Sequence, residues 1–118
     1  MIKKGDIYLA DFGKSRDSFA FGKKRPVIVF QTNKLNYAIE ENIYRHIIAI
    51  PLSTKANHVT DEFRYFLPKR DGLHQDCYAV CNSLCFLDCK YLTTKLSALT
   101  ESEIKEIENI LLNLFDID

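Results

Sequence analysis

The sequence predicts a small, mainly β domain with α+β character: a strongly bent antiparallel sheet or barrel carrying one amphipathic helix at its C-terminal end. Three observations predict it. Short apolar runs rich in Val, Ile, Phe and Tyr recur along residues 5–89, separated by Gly, Pro and charged clusters. Over residues 99–115 the apolar spacing changes from that of a strand to that of a helix. The chain has 118 residues, 47% of them hydrophobic, with no internal repeat or linker, so residues 1–118 form one domain with its own core.

The elements follow in order. "GDIYLADF" (residues 5–12) reads as a first strand. "GKSRDSFAFGKK" (13–24) has glycine near both ends and a polar, charged interior, so it reads as a long loop, with Phe19 and Phe21 inside it. "RPVIVFQ" (25–31) is a second strand with proline at its start, a position that loses no ladder hydrogen bond. "TNKLNYAIEENIY" is ambiguous and has room for a helical turn. "RHIIAIPL" (45–52) is a buried strand, and "STKANHVTD" is a loop. "EFRYFL" is a shorter strand and "PKRDGLHQD" a turn. "CYAVCNSL" and "CFLDC" read as a strand pair bent near Asn82 and Ser83. In the closing helix, Thr100 and Glu103 have the spacing of a capping box. Ile104, Ile107, Ile110, Leu111, Leu114 and Phe115 mark its buried face, and Glu101 and Glu103 suit its positive N-terminus.

Composition excludes some classes. No apolar run approaches the roughly 18 residues of a membrane span. The opening "MIKKGDIYLADF" has neither a long apolar stretch nor a small-residue cleavage site, so a cytoplasmic protein is expected. Formal charge is zero but unevenly placed. Residues 1–25 carry seven Lys or Arg against three acids, whereas residues 97–118 carry Lys105 against six. A basic N-terminal patch can hold phosphate without a basic average, although ordinary surface charge explains the same counts.

Cys77, Cys81, Cys85 and Cys89 are spaced four apart. Along a strand that spacing is roughly 13 Å, too far for one tetrahedral metal with bonds of about 2.3 Å to sulfur. The C-x2-C pairs of zinc sites are absent. Free thiols in a reducing compartment are the expectation, with no metal and no cofactor.

One pairing points to chemistry. Arg25 is fixed by Pro26 and the strand behind it, at the edge of a basic loop. Ser53 and Thr54 follow the buried strand "RHIIAIPL". If the two strand ends meet, a guanidinium fork stands beside two hydroxyls, an arrangement that suits a phosphate. A surface arginine and a hydroxyl turn cap fit the same residues.

Taken in order, "KKGDIYLADF", "GKKRPVIVFQTNKLN", "IIAIPLSTK", "GLHQDCYAVCNSL" and the acidic C-terminal helix resemble the MazF/PemK family of type II toxins over nearly the whole chain. The resemblance implies an SH3-like antiparallel barrel, usually a homodimer. It also implies a metal-independent, sequence-specific endoribonuclease that cuts single-stranded RNA (mRNA) and is neutralised by a cognate antitoxin. The family's catalytic arginine falls on Arg25. Its catalytic hydroxyl falls on Ser53, a position normally held by threonine, with Thr54 next to it. The acid of the opening strand falls on Asp6, which with His58 is a candidate acid/base group; His74 sits in another turn. His46, among apolar residues, reads as structural. Lys14, Arg16, Lys23 and Lys24 form a track for RNA phosphates, and Phe19 and Phe21 are placed to stack on bases. The chain departs from the family where Val80 and Asn82 stand in place of an arginine and an aspartate used by some members. It departs again where Cys85-Phe86-Leu87-Asp88 replaces R-T-I-D, and near Phe19, where some members use a histidine. Gyrase-binding toxins of the same fold, which cut nothing, and a non-catalytic binding module are the alternatives.

Overall fold

The computed structural model describes residues 1–12, 24–55 and 62–118. Lys14, Arg16, Phe19, Phe21, Lys23 and His58 lie outside the described residues. The elements are β1 (Asp6–Asp11), β2 (Lys24–Val29), α1 (Asn33–Glu40), β3 (His46–Ser53), β4 (Arg64–Leu67), β5 (Cys77–Val80), β6 (Cys85–Asp88), β7 (Leu92–Ala98) and α2 (Glu101–Leu114).

All strand pairs are antiparallel, in the order β4-β5-β3-β2-β1-β7, with β6 also on β3. The central strand β3 carries the unbroken apolar run because both of its faces are covered, with Ile47, Ala49, Ile50, Pro51 and Leu52 buried. Its first half pairs with β6 and its last two residues with β5. Pro51, which has no N–H to give, falls at the changeover between the two. The 3-10 turn Cys81–Ser83 separates β5 from β6, where a bend is expected near Asn82 and Ser83.

The alternation in β2 builds two cores. Ile28 joins Ile7, Ile50, Leu52, Leu67 and Ala79 on the face covered by Ile104, Ile107, Ile110 and Leu111 of α2. Val27 and Val29 join Ala10, Ile47, Ala49 and Leu87 on the other face, with Tyr8, Phe12 and Ile39 packed against them. Gly5, beside Ile104 of α2 at the start of β1, takes φ +94°, a left-handed conformation that favours glycine.

Three features differ from the sequence reading. The sheet is not a closed barrel: its outer strands β4 and β7 do not pair among the described residues. Instead, the turn at Gly72 packs on Leu96 of β7. Its φ is +87° and a Cβ would lie 1.7 Å from the Leu96 carbonyl oxygen, so only glycine fits. The ambiguous segment is a full helix. Thr32 caps α1, and Gln31 and Asn36, both buried, fix it to the sheet. The Gln31 side chain donates to the His46 carbonyl at 3.1 Å and accepts from Ile48 N–H at 3.0 Å, extending the β2–β3 ladder past the end of β2. Strand β7 was assigned no place by the sequence pattern, because "LTTKLSA" is half-exposed and its register against β1 shifts twice.

The capping box of Thr100 and Glu103 is formed. Phe115, however, is exposed, as are Leu112 and Ile117, because the last turn of α2 runs beyond the core that Ile110 and Leu111 reach. Among the described residues, no helix is long and apolar enough to cross a membrane.

Candidate functional site

The register of β2 and β3 decides where Arg25 stands. The β2–β3 ladder runs from Val29–Ala49 to Val27–Pro51, so Arg25 and Ser53 each lie two residues beyond its last pair, at the same end of the two strands. Lys24, Arg25, Pro26, Leu52, Ser53, Thr54 and Lys55 line one open pocket of about 340 Å³ at these strand ends. Three cationic side chains and two hydroxyls thus border a single space.

The hydroxyl side is held in place. Ser53 Oγ accepts from Lys55 N–H at 3.1 Å, so the hydroxyl proton remains to be donated. Arg64 of β4 donates to the Lys55 carbonyl at 2.7 Å, which anchors the chain just after Ser53 and Thr54.

A second cavity of about 410 Å³ adjoins the first and shares Pro26, Leu52, Ser53 and Thr54 with it. Its far wall is Gly72, Leu73, His74, Gln75 and Cys77 together with Leu96. This seam lies between Leu96 of β7 and the Gly72 turn with Cys77 at the start of β5. The turn bearing His74 is braced by reciprocal backbone bonds between Arg70 and Leu73 of 2.9 and 2.8 Å, and by Asp76 accepting from Lys69 N–H at 2.8 Å.

Arg70 in turn clasps Glu103 through two bonds of 2.6 Å and also donates to the Ala98 and Pro68 carbonyls. The Arg70 hydrogen bond holds the Glu103 carboxyl below its ordinary range, and that same bond raises Arg70. Tyr65 donates to Glu106 of α2; burial and then this hydrogen bond push its hydroxyl up to about 12.

The structure therefore brings Arg25, Ser53, Thr54 and Lys24 together. It does not bring Asp6. That carboxylate is buried at the far end of β1, where it accepts from Lys3 N–H at 2.9 Å and pairs with Lys95 at 3.3 Å. Across β1, Arg25 faces Ala10, four residues or about 13 Å from Asp6, and Lys24 faces Asp11. Among the described residues Asp11 is the acid that β1 sets opposite Lys24, and only the β1–β2 register distinguishes the two ends of the strand. Reasoning from the sequence also passed over Lys55, which lines the first pocket, and Gln75, which with His74 lines the second. The spacing of Ser53 and Lys55 was the available signal for the former.

Val80 is buried and Asn82 is exposed in the 3-10 turn; neither lines either of these two pockets. Asp88 pairs with Arg45. His46 stacks on Phe86 at 4.6 Å, a structural contact. All four cysteines are free thiols. Burial pushes Cys77 up to about 11 and Cys81 up to about 12, and it raises Cys85, so these three remain protonated at neutral pH.

Residues 3–115 match the family of PemK-like, MazF-like toxins of type II toxin-antitoxin systems. The chain is 33% identical over 122 residues to Endoribonuclease MazF of Staphylococcus epidermidis, covering 98% of this chain and 97% of that one. Its fold matches toxin MazF-mt6 of Mycobacterium tuberculosis at a TM-score of 0.74 and 17% identity, over 96% of this chain and 98% of that one. It matches MazE-MazF of Deinococcus radiodurans at the same TM-score and identity, over 99% and 97%. This chain belongs to the PemK-like, MazF-like family of toxins of type II toxin-antitoxin systems.

Proposed function

We propose that this toxin is an endoribonuclease that cleaves single-stranded RNA by directing the RNA's own 2′-hydroxyl at the adjacent phosphorus. The bond to the 5′ oxygen breaks, leaving a 2′,3′-cyclic phosphate and a 5′-hydroxyl. One observation carries the reading: Arg25, Ser53 and Thr54 border the same pocket, with Lys24 and Lys55 at its sides. The name of the 33% identical relative, an endoribonuclease, supports it.

The nucleophile comes from the substrate, so the protein has to orient it and stabilise charge. Arginine keeps its charge at any physiological pH and is suited to the phosphorane oxygens as their electrostatic partner. Ser53, its oxygen already occupied by Lys55 N–H, donates its proton to the scissile phosphate and fixes its position. Thr54 supports the same phosphate from the next position, and Lys24 and Lys55 hold neighbouring phosphates. In this reading the toxin is a cytoplasmic homodimer. A cognate antitoxin inhibits it with an acidic segment that lies in this cationic groove and orders on binding.

The test is a digest of mixed-sequence single-stranded RNA in EDTA. Wild type is expected to leave 5′-hydroxyl and cyclic-phosphate ends, and a single 2′-deoxy substitution at a mapped cut is expected to abolish that cut. Cleavage that survives the 2′-deoxy substitution contradicts the mechanism. Toxicity that survives Arg25→Ala in cells points to a non-cleaving toxin instead.

A further inference from the structure

The seam cavity contrasts with the phosphate pocket beside it. One end of the joined groove is cationic, at Arg25 and Lys55; the other is walled by Leu73 and Leu96, with His74 and Gln75 exposed at the rim. We propose that the seam cavity is a nucleobase subsite. It would hold the base of the nucleotide that abuts the scissile phosphate, and His74 and Gln75 would read that base's edge. The proposal rests on the ribonuclease reading and deepens it.

A nucleotide has the polarity of this groove, an anion joined to a flat, largely apolar ring whose edge carries donors and acceptors. The two cavities share Pro26, Leu52, Ser53 and Thr54, so a phosphate held at Ser53 projects its sugar and base along the shared wall. A volume of about 410 Å³ lies within the roughly 300–1,000 Å³ usual for small-ligand pockets. Glutamine and histidine each offer both a donor and an acceptor, the equipment needed to tell one base edge from another. The backbone of the turn that carries the rim is braced by the reciprocal Arg70–Leu73 bonds and by Asp76 accepting from Lys69 N–H. Rigid placement is what discrimination between bases requires.

Two measurements test this. Cleavage ends are mapped on a randomised RNA pool for wild type, Gln75→Ala and His74→Ala. Wild type is expected to favour certain bases next to the cut, and each variant to relax that preference by roughly three- to tenfold at this one position. An unchanged preference in both variants overturns the proposal while leaving the nuclease reading intact. A loss of folding lowers all cuts alike and does not move this ratio.

The second measurement does not depend on cleavage. A 2′-deoxy dinucleotide and its abasic counterpart are titrated into wild type and followed by amide chemical shifts. The base-bearing ligand is expected to shift Leu73, His74, Gln75 and Leu96 as well as Ser53, and the abasic one Ser53 without the rim. Equal shifts from both ligands overturn the subsite, as does an acidic peptide moving the rim where the dinucleotide does not.

Discussion

Two arginines in this fold do opposite work. Arg70 commits its guanidinium to the chain itself: two bonds to Glu103, one to the Ala98 carbonyl and one to Pro68. Arg25 lies at the start of β2 and lines an open pocket with Lys24, Lys55 and two hydroxyls. The first lashes the seam turn to α2; the second borders the open pocket in which the proposed function places the scissile phosphate. Under the proposed function the contrast separates what holds this toxin together from what lets it act, and each arginine is a handle on one of the two.

The sharpest way to break the contrast is to exchange the phenotypes. Arg25→Ala is expected to lower the RNA cleavage rate by roughly a hundred- to thousand-fold, the usual cost of losing one preorganised charge donor, with little change in the urea midpoint. Arg70→Ala is expected to do the reverse. It should lose about 2 kcal/mol of stability, as for a charged hydrogen-bonded pair deprived of one partner, while the cleavage rate of the folded fraction stays close to wild type. This loss has a pH signature. The Arg70 bond depresses the Glu103 carboxyl, so its stabilisation is present in full above the ordinary glutamate value of about 4.3 and disappears as pH falls through the depressed value. Urea melts of wild type and Arg70→Ala should therefore converge at strongly acid pH; a gap that stays constant would contradict the assigned role.

Smaller effects sharpen the site side. Ser53→Ala is expected to slow single-turnover cleavage by about tenfold, one hydrogen bond's worth, whereas Ser53→Thr keeps the hydroxyl and should remain near wild type. Lys24→Gln and Lys55→Gln are each expected to reduce the slope of log affinity against log salt by about 0.7, measured by binding to a 2′-deoxy-blocked RNA. An unchanged slope in both would remove these lysines from the phosphate track.

The parts that were legible in the sequence are those set by neighbouring residues. Thr100 and Glu103 specify their cap three residues apart, and Pro26 marks the start of β2 wherever the rest of the sheet lies. The meeting of Arg25 with Ser53 needed only that β2 and β3 be adjacent and antiparallel. Two acids, Asp6 and Asp11, begin and end one strand, and only its pairing with β2 shows which end lies beside Arg25. The helix α1 was understated because its hold is tertiary: the buried Gln31–Asn36 bond fixes it to the sheet, and the local pattern around Tyr37 is mixed. The seam cavity was invisible for the same reason, since its walls come from β2, β3, the Gly72 turn and β7.

The central claim is that one phosphate lies between Arg25 and Ser53. The most direct measurement is a titration of wild-type protein with a 2′-deoxy dinucleotide, following the Arg25 Nε–H and Ser53 amide signals alongside those of Arg70. The account predicts that Arg25 and Ser53 shift together along one saturation curve while the Arg70 Nε–H stays still. Saturable binding that moves other parts of the molecule and leaves Arg25 and Ser53 unshifted would contradict it.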